Sequence, residues 1–82
     1  MMNRQIFAHF TVFFDDGERA ANVHIMRVEK DGSVGYRMYL NGQYHRNVLS
    51  AVSGGPDDAQ AVQAVLHEIS MLIANGWRGT ES

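Results

Sequence analysis

The sequence predicts an α+β domain: a four-stranded antiparallel β-meander with one C-terminal α-helix packed across one face. Three observations carry this. The dipeptides Asp16-Gly17, Asp31-Gly32 and Asn41-Gly42 punctuate the first half, and each favours a type I′ turn, whose two central residues take positive φ. The runs between them are rich in Val, Ile, Phe and Tyr, residues suited to half-buried strands. Beyond Pro56 the apolar period lengthens: Val62, Val65, Leu66, Ile69, Leu72 and Ile73 follow the spacing of one helix face.

The expected strands are 4–15, 18–29, 34–40 and 43–50. A two-residue loop at Asp16-Gly17 pairs Ala8 with Ile25, Phe10 with Val23 and Val12 with Ala21. A second at Asp31-Gly32 pairs Val23 with Leu40 and Ile25 with Met38. Strand side chains alternate between faces, so both turns assemble the same apolar surface: Ala8, Phe10, Val12, Ala21, Val23, Ile25, Tyr36, Met38 and Leu40. The fourth strand has two solutions. A tight Asn41-Gly42 turn sets Arg37 opposite Arg46, which like charges disfavour. A three-residue loop with a bulge sends Tyr44 and Val48 to the apolar face and is preferred.

The helix is expected over 56–75. Pro56 suits its first turn, Asp57 and Asp58 complement its positive end, and Gly76 suits the position just past its C-terminus. Val62, Leu66 and Ile69 are expected to cover Phe10, Val23, Ile25 and Leu40, with Trp77 folded back as a lid. The 82 residues make one domain, divided into meander (1–50), helix and tail (77–82).

Composition narrows the function. The chain has no cysteine, which excludes disulfides and thiolate metal sites and suits a reducing, cytoplasmic setting. No apolar run approaches the roughly 20 residues that span a bilayer, and residues 1–10 lack the apolar core of a signal peptide, so no membrane association is expected. The acids cluster in turns and at element ends, while Arg4, Arg27, Arg37 and Arg46 occupy strand bodies. Turns favour Asp for reasons of their own, but the remainder is a locally basic sheet, suited to an acidic partner.

The second sheet face is the candidate site. It is expected to carry Phe7, His9, Thr11, Phe13, Ala20, Asn22, His24, Met26, Val28, Arg37 and Tyr39. One helix cannot cover both faces, and a sheet face in water is ordinarily polar. Phe7, Phe13, Met26 and Tyr39 therefore mark a contact surface. His9 faces His24 across the strands, but the neighbours Thr11, Asn22 and Tyr39 are not usual zinc ligands, so no metal or other cofactor is expected. No Ser has a placed base, no carboxylate pair sits in an apolar run, and "SGGPDD" lacks the following Lys and Ser/Thr of a phosphate loop. The expectation is a non-enzymatic protein-binding module whose contact residues are Phe7, His9, Phe13, His24, Met26, Arg37 and Tyr39. It is expected to homodimerise through that face, with Phe7 and Tyr39 central and Arg37 at the rim. Two alternatives remain. One is a single-stranded nucleic-acid binder that stacks bases on Phe7, Phe13, Tyr39, Arg37 and Arg46. The other is a phage or bacterial inhibitor that docks on a larger complex.

The stretch "GPDDAQAVQAV", Gly55 to Val65, resembles the G-x-D-x-x-Q-A-x-x-x-A pattern that opens the C-terminal helix of some small uncharacterised bacterial proteins with a strand-rich N-terminal half. Gly55, Asp57, Gln60 and Ala61 match, and Ala64 or Val65 falls at the last small position. The resemblance implies the same sheet-plus-helix fold and no activity.

Overall fold

The computed structural model describes residues 2–14, 17, 19–49 and 57–79. Four strands, β1 (Met2–Phe13), β2 (Ala20–Lys30), β3 (Ser33–Leu40) and β4 (Gln43–Leu49), form one antiparallel sheet in the order β1-β2-β3-β4. A single helix, α1 (Asp58–Ala74), follows. This is the expected α+β meander with its helix against the sheet.

The first two hairpin registers are those the turns predict. Ala8 pairs with Ile25, Phe10 with Val23 and Val12 with Ala21, and Val23 pairs with Leu40 and Ile25 with Met38. The first turn closes with Phe14 N donating to Arg19 O at 3.1 Å; Asp15, Asp16 and Glu18 lie outside the described residues.

Local slips in two strands, one in β1 and two in β4, correct the strict alternation. In β1 the register shifts between Ile6 and Ala8, and Phe7 is the extra residue. A bulge of this kind turns two successive side chains to one side. Phe7 therefore joins the covered face, where its ring meets Tyr36 edge-on at 5.5 Å. In β4 the tight Asn41-Gly42 turn forms, with φ of 52° and 83°, and Leu40 pairs with Gln43. A shift between Met38 and Tyr39 then sets Asn47, not Arg46, opposite Arg37. The bulge is thus inside the strand rather than at the loop. Val48 packs on the core as expected, but Tyr44 does not: it pairs with Tyr39 and is 55% exposed.

The core consists of Val23, Ile25, Tyr36 and Met38 from the sheet beneath Ala61, Val65 and Ile69 from the helix. These helix positions recur every four residues, the row that lies along one side of an α-helix. Val62 leans on the core from the flank, but Leu66 is 49% exposed, which corrects its expected burial. Phe10 and Leu40 are half-buried rather than enclosed.

The helix ends explain its limits. Asp57 is the N-cap: its side chain accepts from Gln60 N at 2.8 Å, and Asp57 N donates to Gln60 Oε1 at 3.0 Å. This reciprocal pair is a capping box, and it gives the Asp-x-x-Gln spacing a physical role. Pro56 and Gly55 lie outside the described residues. At the other end Gly76 N donates to Ile73 O and Trp77 N to Leu72 O, at 3.0 and 2.9 Å. This double bond pattern needs a left-handed residue between helix and tail, and Gly76 supplies it with φ 101°. Trp77 then folds back onto the core and meets Phe14 edge-on at 5.5 Å. Gly79 reaches the same ring; a Cβ there would lie 2.7 Å from Phe14. Its carbonyl accepts from Asn41 Nδ2 at 2.7 Å, which ties the tail to the β3–β4 turn.

Candidate partner-binding surface

The face away from α1 is built by alternate residues of all four strands. His9 and His24 stand opposite each other. Since Phe14 bonds Arg19, counting back along the ladder makes His9 and His24 a pair without mutual backbone bonds, the closer-set kind. Their rings stack at 4.3 Å with planes 3° apart. Beside them Thr11 Oγ1 donates to Asn22 Oδ1 at 3.3 Å.

On the other flank Tyr39 faces His24, and Arg37 faces Met26. The Tyr39 hydroxyl donates to Met26 Sδ at 3.8 Å. Its ring meets Tyr44 edge-on at 5.8 Å, and the Tyr44 hydroxyl donates to Asn47 Oδ1 at 3.0 Å. His9, His24, Met26, Arg37 and Tyr39 thus form one continuous group. Phe13 lies at the upper end of β1, 79% exposed. Phe7 is on the other side of the sheet, where the bulge places it.

Two members were missed. Ile6 pairs with Met26 and is 52% exposed, and Tyr44 pairs with Tyr39. The signal for Ile6 was present: strict alternation through β1 puts Arg4 on the covered face and Phe7 in water, a doubly unfavourable arrangement that one bulge reverses. With it, Arg4 pairs with Val28 on the open face.

The charge distribution is one-sided. Arg4, Lys30 and Arg37 lie on the open face by register. Among the described strand residues no carboxylate does, because Glu29 turns to the covered side and pairs with Arg27 at 2.9 Å. Arg27 and Arg46 do not contribute to this surface, which corrects the wider basic sheet expected from sequence. Arg46 Nη1 donates to Glu68 Oε1 at 3.3 Å, and His45 Nε2 meets Glu68 Oε2 at 2.8 Å. Both arise from β4 and hold the helix.

Two polar groups elsewhere have displaced proton equilibria. The hydrogen bond from His45, aided by Arg46 and opposed by burial, holds the Glu68 carboxyl below its ordinary 4.5. Burial, then the hydrogen bond to Asp58, pushes the Tyr36 hydroxyl up to about 12; it donates to Asp58 Oδ1 at 2.7 Å. Both serve the helix–sheet contact; Glu68 also lines a shallow, open depression between β4 and the helix, with Arg46, Val48, His67 and Met71. Among the described residues no group of three His, Asp or Glu side chains is placed to hold a metal ion. No described helix is long and apolar enough to cross a membrane. No protein-family model, curated protein or solved structure matches the chain.

Proposed function

We propose that the chain is a small non-enzymatic binding protein that acts through the open face of its sheet on a protein partner with apolar and acidic side chains. The supporting observation is that face itself. His9, His24, Met26, Tyr39 and Tyr44 form a contiguous aromatic and thioether surface with Arg37 and Lys30 beside it and no strand carboxylate among the described residues. Aromatic side chains, Met and Arg are the types that interface centres favour. With Lys30 and Arg37 on this face and no strand carboxylate among the described residues, docking two copies of it face to face is disfavoured, and we place the expected homodimer elsewhere.

The test compares the immobilised wild-type chain with Tyr39→Asp. Tyr39 is central to the face and outside the core, so the variant keeps the fold. A protein retained from host extract by wild type, lost with Tyr39→Asp and eluted by moderate salt supports the reading. One retained equally by both variants overturns it.

A second reading has one observation in its favour. The stacked imidazoles, two tyrosines and Arg37 on a flat sheet also suit unpaired bases. Binding of a labelled single-stranded oligonucleotide that weakens steeply with salt and disappears with Tyr39→Asp would favour it over the protein partner.

A further inference from the structure

β1 is an edge strand that the rest of the fold leaves unfinished. It is twelve residues long, and from Gln5 to Phe14 it has no Asp, Glu, Lys, Arg or Pro. These are the residues with which proteins ordinarily blunt an edge. No described side chain of β1 is buried. The alternation fixed by the Phe14–Arg19 bond turns the backbone N–H and C=O groups of His9, Thr11 and Phe13 outward, and no described residue bonds to them.

The helix leaves the same side open. Glu68 reaches β4 through His45 and Arg46. At 3.6 residues per turn, Leu66 and Ile73 lie on the opposite flank of the buried Ala61–Val65–Ile69 row, toward β1. They are 49% and 37% exposed. An apolar flank and an unpaired strand therefore share one side wall.

We propose that this wall binds a second copy of the chain, β1 against β1, antiparallel about Thr11. The outward backbone groups then bond in register: Thr11 with Thr11, and His9 of each chain with Phe13 of the other. On the covered side Phe10 of each chain lies beside Val12 of the other and extends the apolar floor below Leu66 and Ile73. On the open side Phe13 gains the imidazole of His9 as a neighbour, which gives the exposed ring a partner. No like charges oppose each other along the seam, unlike a face-to-face pairing. From Ala8 to Phe14 the paired stretch is about 24 Å long. The molecule is about 20 Å across its short axes, so the contact buries at most roughly 500 Å² per chain, which brings the total up to the roughly 1,000 Å² at which specific interfaces begin. The product is a continuous eight-stranded sheet with two open faces side by side.

The experiment is light scattering coupled to size exclusion at about 100 µM, where an association of micromolar strength is nearly complete. Wild type is expected at twice the monomer mass. Thr11→Pro removes the outward N–H without touching the β1–β2 ladder, a placement edge strands tolerate. Phe13→Glu adds a charge at the seam through an exposed position, so the result does not depend on one variant folding. Both are expected at monomer mass with wild-type circular dichroism, while Tyr39→Asp stays dimeric. Amide exchange of His9, Thr11 and Phe13 is expected to slow as concentration rises. A monomeric wild type overturns the proposal. So does a dimer that survives both β1 variants, or one that Tyr39→Asp alone dissolves; the last result assigns self-association to the open face and removes that face from the partner reading as well.

Discussion

The two edges of the sheet are held to the helix by different means. β4 is short and slips register at two places. The first turns His45 and Arg46 together toward α1, where both meet Glu68. β1 is longer, slips once, and is tied near its two ends: the slip at Phe7 drops its ring onto Tyr36, whose hydroxyl holds Asp58 at the start of the helix, and just past β1 Phe14 meets Trp77 beyond the helix end. A single helix covers about half of a four-stranded face, and here it sits toward β4. The difference shows that an edge is secured by where the helix lies rather than by the strand's own propensity. β1 has the stronger strand sequence and the weaker attachment.

The sharpest way to break the comparison is to truncate the two sides of the helix separately. Ile69 belongs to the buried row and is 6% exposed, whereas Leu66, three residues earlier, is 49% exposed on the β1 side. Ile69→Ala is expected to cost about 2–5 kcal/mol, a large share of the stability of so small a domain. Leu66→Ala is expected to cost below about 1 kcal/mol, as partly exposed positions do. Urea titration of both variants at a concentration where the chain is monomeric measures the difference. Equal losses would mean that the helix presents Leu66 to the sheet.

The Tyr36 anchor is expected to give a smaller effect with a distinctive pH signature. Tyr36→Phe keeps the ring that receives Phe7 and removes only the bond to Asp58, a loss of about 1 kcal/mol. The folded-state hydroxyl is pushed up to about 12 from an ordinary 10.0, by burial first and Asp58 second. Between those values the folded chain retains a proton that the unfolded chain has lost, so rising pH favours unfolding. The stabilisation is complete below pH 10 and fades toward pH 12. Denaturation midpoints of wild type are expected to fall over that interval. Those of Tyr36→Phe are expected to fall less, and parallel slopes would show that Tyr36 is not the group responsible.

Most of the fold was legible because three turns and one helical period agree with one another. Two registers counted independently from Asp16-Gly17 and Asp31-Gly32 meet on Val23 and Ile25, both fully buried. The helix was legible for the same reason, and its capping box lay in plain view as Asp57 and Gln60. What period alone does not encode is where a strand slips. Phe7 and Ile6 exchanged faces, and Tyr44 went to the open side, because a bulge costs one backbone bond and is decided by what it gains: a Phe7 packed against the core and a solvated Arg4 in β1, and Arg37 kept from Arg46 in β4. The rotation of the helix was also hidden. Val62, Val65, Leu66 and Ile69 span more than one helix can bury on half a sheet, and the Glu68 clamp, which joins residues far apart in sequence, selects the side that faces water. The candidate surface was legible in its centre, His9, His24, Met26, Arg37 and Tyr39, where no slip intervenes.

That clamp gives the last and smallest expected effect. Glu68 is itself only 18% exposed, but its partners, His45 and Arg46, are 27% and 58% exposed at their side chains, and solvent screens such pairs to about 1 kcal/mol or less. Glu68→Gln keeps the shape and removes the charge. Because the His45 bond, with Arg46 behind it, outweighs burial, the folded carboxyl lies below its ordinary 4.5. The folded chain then holds fewer protons there than the unfolded chain. The clamp's contribution is complete above pH 4.5 and is lost as pH falls through the depressed folded value. Wild type and Glu68→Gln are therefore expected to differ most near neutral pH and to converge in acid. High salt at neutral pH should narrow the gap through the exposed Arg46 arm. The same pH series on Tyr36→Phe should show no such convergence below 4.5, since its displaced proton belongs to the alkaline range. If Glu68→Gln instead loses more stability in acid than wild type, the β4 edge is not held by this carboxylate, and the contrast between the two edges fails with it.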